Sequence, residues 1–257
     1  MTYLPRVEAA KSAEWPDLLV ELDRWEEARL VARFWWRDDD AVAPSPRLDR
    51  LMAVANGAPM ALAVIPADVK DELAAALRWF PQVSVLHHGW CHANRAASGK
   101  KSEYPAERHP VEVADELDEG RKRLRTLFGS RALPVFVPPW NRFSERFVPL
   151  LTEAGFVAIS QMAPRKNPLP GGIAVIDAHL DTVAWHEDRS FVGEAVALGR
   201  LVAALRAARE AGDNAAIGVL THHLVMDDAS EEFLARLGEL VDAHDAARWV
   251  DMRELIA

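Results

Sequence analysis

Four short runs of this 257-residue chain concentrate the side chains that can bind cations, move protons or stack on a ring. Asp38, Asp39 and Asp40 are adjacent. Neighbouring carboxylates repel one another, and burying even two of them demands a cation or a proton to offset the cost. The same run would also suit a solvated acidic turn or the N-cap of a following helix. His88 and His92 stand four apart, a spacing that on one helical turn directs both imidazoles to one point. Two histidines and one carboxylate make a metal set that leaves positions open for water and substrate. His222 and His223 offer a group that titrates near neutral pH and can protonate a leaving amine; as an ordinary pair they would hydrogen-bond Asp227 or Asp228. Pro138, Pro139 and Trp140 either shape a turn or form an apolar wall for a sugar ring, and Trp185 offers the same choice. Cys91, the single cysteine, lies between His88 and His92 and reads as a packing residue.

The elements that must position these residues alternate short β-branched or aromatic runs with longer helical patterns, the signature of βα units around a parallel sheet. Strands are expected at 33–37, 58–65, 82–86, 133–137, 156–160, 173–177, 216–220 and 248–252. Helices are expected at 45–56, 68–80, 110–128, 144–154, 193–211 and 230–244, with a polar loop at 89–109, a Pro/Gly-rich loop at 161–172 and irregular chain at 180–188. RDDD then follows the first strand, HHGWCH the third, PPWNR the fourth and THH a late one. Every cluster falls at the carboxyl end of a strand, the rim on which α/β barrels build active sites. No internal repeat, low-complexity tract or linker interrupts the pattern, so one domain over 1–257 is expected.

The formal charge of -9, with no basic run to outweigh it, argues against a nucleic-acid or anionic-membrane partner. One cysteine permits no intramolecular disulfide, which fits a reducing compartment. The first 25 residues carry charges where a secretory signal needs an apolar stretch, and no run approaches a membrane span. A cytoplasmic setting is the expectation.

At these residues the sequence resembles the polysaccharide deacetylases, the NodB-homology group of family 4 carbohydrate esterases, over roughly residues 31–223. The resemblance implies an α/β fold, a distorted (β/α)7–8 barrel, that removes an acetyl or related acyl group from an N-acetylated sugar or similar amide. It also implies a divalent metal, with zinc the expected ion although other transition metals suit the set. The family's Thr-Phe-Asp-Asp-Gly motif aligns its Asp pair with Asp39 and Asp40, implying Asp39 as general base and Asp40 as metal ligand; a one-residue shift would give Asp38 and Asp39. Its second motif matches His88 to His92 as metal ligands, with Gly89 at the hydroxyl position. The third, Arg-x-Pro-aromatic, keeps Pro139 and Trp140 but has Val137 in place of Arg, with Arg142 as a candidate substitute. The fourth, Asp-x-x-Asp-Trp, runs from Asp181 to Trp185 with Ala184 replacing the second Asp. The fifth, Leu-x-His, places Leu220 and makes His222 the general acid. Pro139, Trp140, Arg142 and Trp185 are the expected substrate contacts, and the loop after His92, with Glu103, Tyr104 and Arg108, reads as a lid or specificity element. The partner is then a small-molecule or oligosaccharide substrate. Two rivals stand beside this: a metal-dependent amidohydrolase acting on a small non-carbohydrate molecule, and a non-catalytic sugar- or metal-binding relative.

Overall fold

Alternation along the strands decides what this molecule buries on each side of its sheet. The computed structural model describes residues 12–163, 169, 172–212 and 215–257. Among them the strands are β1 (Ala32–Ala41), β2 (Met60–Val64), β3 (Val83–His88), β4 (Ala132–Val137), β5 (Ala158–Ile159), β6 (Ala174–Val175), β7 (Ala178–Asp181), β8 (Ile217–Thr221) and β9 (Ala247–Trp249). The helices are α1 (Trp15–Glu27), α2 (Pro46–Ala55), α3 (Asp71–Leu77), α4 (Pro110–Phe128), α5 (Val148–Glu153), α6 (Glu194–Glu210), α7 (Asp228–Ala243) and α8 (Met252–Leu255).

All strand pairs in the sheet are parallel, in the order β6-β5-β4-β3-β2-β1-β8-β7, with β9 paired to the start of β1. The sheet curls: just beyond β5, Met162 bridges to Ala178 at the start of β7, and the Ala178 amide donates to Gln161 O at 2.8 Å. This is the distorted (β/α) barrel anticipated from the sequence. Trp35, Ala61, Ala63, Leu86, Val135, Val137 and Leu220 fill the concave interior. Their strand neighbours Phe34, Trp36, Leu62, Val64, Val85 and Val219 face the helices instead. Each of the Val, Leu and Phe side chains among them, taken wholly from water, stabilises the fold by about 1.5–3 kcal/mol.

Most expected elements appear within a few residues of their assigned limits, and α4 begins at Pro110 and ends at Phe128 as expected. The differences have local causes. β1 runs on through the acidic residues to Ala41, because each Asp finds a partner inside the fold. The chain at 180–188, expected to be irregular, begins inside β7, where Ala178 and Leu180 are buried on alternate positions. Helix α1 was not anticipated, although its sequence carries the signals: a capping box between Glu14 and Asp17, Pro16 in the first turn, and a buried stripe of Trp15, Leu18, Leu22 and Trp25. The end of the chain forms the short helix α8 after β9, where a strand to 252 was expected. The Pro/Gly-rich loop at 161–172 lies largely outside the described residues. Among the described residues no helix is long and apolar enough to cross a membrane.

Candidate active site

Parallel strands end on one side, so the carboxyl ends of β1, β3, β4, β7 and β8 form a single rim. β1 distributes its three carboxylates through the two-residue period of a strand. Arg37 and Asp39 follow Trp35 toward the interior. There Arg37 Nε donates to Asp39 Oδ1 at 2.8 Å and Nη2 to Oδ2 at 3.1 Å, while Nη1 donates to Ser160 Oγ at 2.6 Å. Asp38 takes the opposite face. It accepts from Thr221 Oγ1 at 2.7 Å, from the His223 amide at 2.9 Å and from His223 Nδ1 at 2.6 Å. Trp36 Nε1 extends this network by donating to Thr221 Oγ1 at 3.0 Å. A bulge between Asp38 and Ala41, with Asp40 at φ 73°, then breaks the alternation and turns Asp40 toward β3.

β3 repeats the logic. Leu86 and His88 face inward, whereas His87 is buried against Phe136 and Phe156 on the helix side, where burial without a partner holds its pKa down at about 3. His88 Nδ1 donates to Val137 O at 3.0 Å, and its Nε2 lies 3.1 Å from Asp40 Oδ1. His92 Nε2 lies 3.4 Å from the same oxygen. One ligand atom from each of Asp40, His88 and His92 falls within 4.8 Å of the others.

The donor set passes a chemical test for a cation. The carbonyl of Val137 can only accept, so His88 carries its proton on Nδ1, and in the neutral ring the Nε2 lone pair faces the Asp40 carboxylate. Two acceptors at that distance demand a proton or a cation between them, and a backbone carbonyl on the far nitrogen is the usual brace of a metal-binding histidine. The separations suit a tetrahedral site, whose ligand atoms stand about 3.4 Å apart when bonds are about 2.0–2.1 Å. A proton on His88, shared with Asp40, can fill the same place. Burial would raise the Asp40 pKa, yet its hydrogen bond to His88 and the charges of His88, His222 and His92 hold it far below the ordinary carboxylate value. Burial would likewise lower His88, but Asp39 and Asp40 outweigh it and raise its pKa. His92 is lowered by burial and by the charge of His88.

The His88–His92 spacing works through a strand end and a tight loop, not through the helical turn that the spacing suggested: His92 has φ 53°. Glu103 holds that loop from beneath, fully buried, accepting from the amides of Trp90 at 3.2 Å and Cys91 at 2.8 Å. Cys91 Sγ donates to Glu103 as well, at 3.3 Å, so this residue is hydrogen-bonded and not simply packed. The segment expected to be a lid or a specificity element is tied down: Tyr104 bridges to Phe143, Ser144 N donates to Tyr104 O, and Arg108 pairs with Glu116 at 2.6 Å.

On β8, Leu220 and His222 continue the interior face while Thr221 and His223 take the other. The expectation that this histidine pair bonds Asp227 or Asp228 is corrected: His223 belongs to Asp38, and Asp227 caps α7 through the Ser230 amide at 2.8 Å. His222 meets the Trp185 ring edge-on at 4.7 Å, and its Nδ1 is buried without a hydrogen bond. Trp185 Nε1 donates to Asp181 Oδ2 at 2.8 Å. Trp140, at φ 55° just after the buried Pro139, packs 4.4 Å from the His92 ring. Arg142 does not replace the missing Arg at Val137; its Nη1 donates to Lys101 O at 2.8 Å, and Arg37 holds Asp39 instead. Arg37 was not singled out from the sequence. Its signal was its place two residues before Asp39 on a strand, which puts both on one face.

No protein-family model matches the sequence, and no curated sequence relative matches it. Solved structures do match in fold. One from Mycobacterium smegmatis, provisionally named a polysaccharide deacetylase, is 17% identical with a TM-score of 0.64, covering 98% of this chain and 94% of that one. A family 4 acetyl xylan esterase from Clostridium thermocellum, in complex with a cobalt ion, is 15% identical with a TM-score of 0.56, covering 87% and 89%. A mutant of a family 4 pseudoenzyme with restored enzymatic activity is 16% identical with a TM-score of 0.56, covering 89% and 68%. The chain therefore has the fold of the family 4 carbohydrate esterases and polysaccharide deacetylases.

Proposed function

We propose that this protein is a metal-dependent hydrolase that removes an acetyl or related acyl group from an N-acetylated sugar or similar amide. The observation that carries the reading is the convergence of Asp40, His88 and His92 ligand atoms within 4.8 Å, beside the Arg37-held Asp39 and opposite His222. When bound, a divalent ion, zinc by preference, polarises the acyl carbonyl and eases deprotonation of water. Asp39 accepts the proton of the attacking water, since each carboxylate oxygen keeps a lone pair beyond its bond to Arg37. His222 delivers a proton to the departing nitrogen. The Trp140 and Trp185 rings flank the approach, Pro139 backs Trp140, and together they offer apolar faces to a sugar ring.

The test is acetate release from a panel of N-acetylated sugars and simple amides by the metal-loaded protein. Asp39→Asn and His222→Ala are each expected to lower kcat/KM by about 100-fold or more. Equal rates in all three proteins would defeat the reading.

A second reading, a sugar- or metal-binding protein without turnover, is favoured by one observation: among the described residues nothing hydrogen-bonds the buried Nδ1 of His222 to orient it. The same panel decides it, for that reading expects metal bound in every sample and no acetate from any.

A further inference from the structure

Residues on β1 and just beyond β5 hold one guanidinium between them across the barrel interior. In the sheet β2, β3 and β4 stand between those two strands, so no backbone ladder joins them. The link is made by side chains. Arg37 Nε and Nη2 donate to the two carboxylate oxygens of Asp39 at 2.8 and 3.1 Å, and Nη1 donates to Ser160 Oγ at 2.6 Å. Arg37 and Ser160 are fully buried, and Asp39 is 4% exposed.

The two partners take different edges of the guanidinium. Nε and Nη2 form the fork that meets a carboxylate through two parallel bonds, which fixes the carboxylate plane as well as its distance. Nη1 leaves the other side of the group. A planar fork on a long, rotamer-rich side chain orients a carboxylate only if something orients the fork. Ser160 supplies that hold. Its Oγ turns about a single torsion, and its backbone is fixed: the Ser160 amide donates to Phe136 O at 2.8 Å, and the next amide, of Gln161, to Asp177 Oδ1 at 2.8 Å.

Ser160, with no exposed surface, is out of reach of any bound molecule. Asp39 is not: it stands beside the ligand trio, where its charge acts on both His88 and His92. Among the described residues the Arg37 guanidinium hydrogen-bonds to Asp39 and Ser160 alone. Whatever the Ser160 hydroxyl contributes through Arg37 therefore reaches the site by way of Asp39.

We propose that Ser160 is a positioning residue: through the Arg37 fork it sets the plane of the Asp39 carboxylate, and with it the direction from which a lone pair of Asp39 meets the attacking water. The use of that direction for proton transfer rests on the hydrolase reading above; the clamp itself does not.

The experiment reads the clamp and the rate separately, on the full chain. NMR spectra of the guanidinium groups in the metal-free protein follow rotation about the Cζ–Nη bonds of Arg37, which is hindered while both partners are in place. Ser160→Ala is expected to speed rotation of Nη1 at least about 10-fold, while the Nε–H stays on Asp39. In the zinc-loaded protein, with an N-acetylated sugar that wild type turns over, the same substitution is expected to lower kcat about 10-fold with KM changed less than about 2-fold. Zinc affinity is expected to stay as it was. In an Asp39→Asn background Ser160→Ala should cost no further kcat, because the group it orients has lost its role. Ser160→Cys, a weaker acceptor of similar size, should fall between serine and alanine in both readouts; unchanged thermal unfolding shows that the variants are folded. Unchanged Nη1 rotation, a loss that falls on KM or on zinc affinity, or an undiminished effect of Ser160→Ala beside Asp39→Asn each overturn the proposal. A wild-type protein that releases no acetate defeats the hydrolase reading, whereas the Arg37 spectra still decide the clamp.

Discussion

Each of the three consecutive aspartates answers to a different partner: Asp38 to His223 and Thr221, Asp39 to Arg37, Asp40 to His88 and His92. This division is what makes such a run tolerable inside a protein, because an unpaired buried carboxylate would cost several kcal/mol. It yields a sharp expectation for Arg37, which is fully buried. Arg37→Met leaves Asp39 as an uncompensated buried charge and should destabilise the protein by about 3–5 kcal/mol. Adding Asp39→Asn should return much of that loss, because the charge is then gone. Urea denaturation of the two single variants and the double variant measures the coupling, and strict additivity would show that the pair is not the reason for the cost. The types and order of these residues were legible in the sequence, as was their place at strand ends. What was not legible is how they are turned. The left-handed conformations at Asp40, His92 and Trp140 leave no mark in residue type, since none of the three is a glycine, and the expected helical turn between His88 and His92 was the wrong geometry for the right pair.

At the scale of elements, strands present one face and hide the other, and the loops that follow them need props. The loop after β3 shows the second point. Gly89 sits at φ 59°, and a Cβ there would overlap Glu103 Oε2 and the Pro139 ring. Gly89→Ala should push Glu103 away from the Trp90 and Cys91 amides, displace His92, and weaken zinc affinity about 10-fold or more in a competition titration with a chromogenic chelator. If affinity is unchanged, the Glu103 prop does not set the position of His92. The β7–β8 pair carries a pH dependence of the same local origin. His179 Nδ1 accepts from the Gly218 amide at 3.0 Å and so must be unprotonated there; burial, only partly offset by Asp177, lowers its pKa from 6.5 to about 4. The unfolded chain takes up this proton below pH 6.5 and the folded protein only below about 4, so stability falls as pH drops through that window and is level on either side. The loss attributable to His179 is at most about 3 kcal/mol. His179→Asn, whose side-chain oxygen can accept from the same amide, should flatten the urea midpoint between pH 7 and pH 4 relative to wild type. Parallel curves for the two proteins would remove His179 from the account. β7 was missing from the sequence reading because its four residues are too few for a period to declare itself, and its stability comes from pairing with β8.

For the whole molecule, the question is what holds a curled, incompletely hydrogen-bonded sheet at its rim. The strand ends splay where β1 bulges, and there Asp40 from β1, His88 from β3 and His92 from the following loop meet across β2. These ligands lie up to 52 residues apart in sequence, from Asp40 to His92, so the unfolded chain has no comparable site. A divalent ion that binds only the folded form stabilises it by RT ln(1 + [ion]/Kd), about 2.7 kcal/mol at 100 times Kd. For a chain of this size that corresponds to a rise in Tm of about 5–10 °C. Thermal scans with zinc and with a chelator should therefore differ by that amount. In Asp40→Asn or His92→Ala the two scans should coincide, because the site has lost a ligand. His223→Gln, which disturbs the Asp38 network on the opposite face of the same strand ends, should lower both curves yet keep the gap between them. A gap that persists in Asp40→Asn would place the stabilising ion elsewhere and would break the link between the rim and the proposed chemistry; a gap lost in His223→Gln would mean that the two faces of β1 act as one unit.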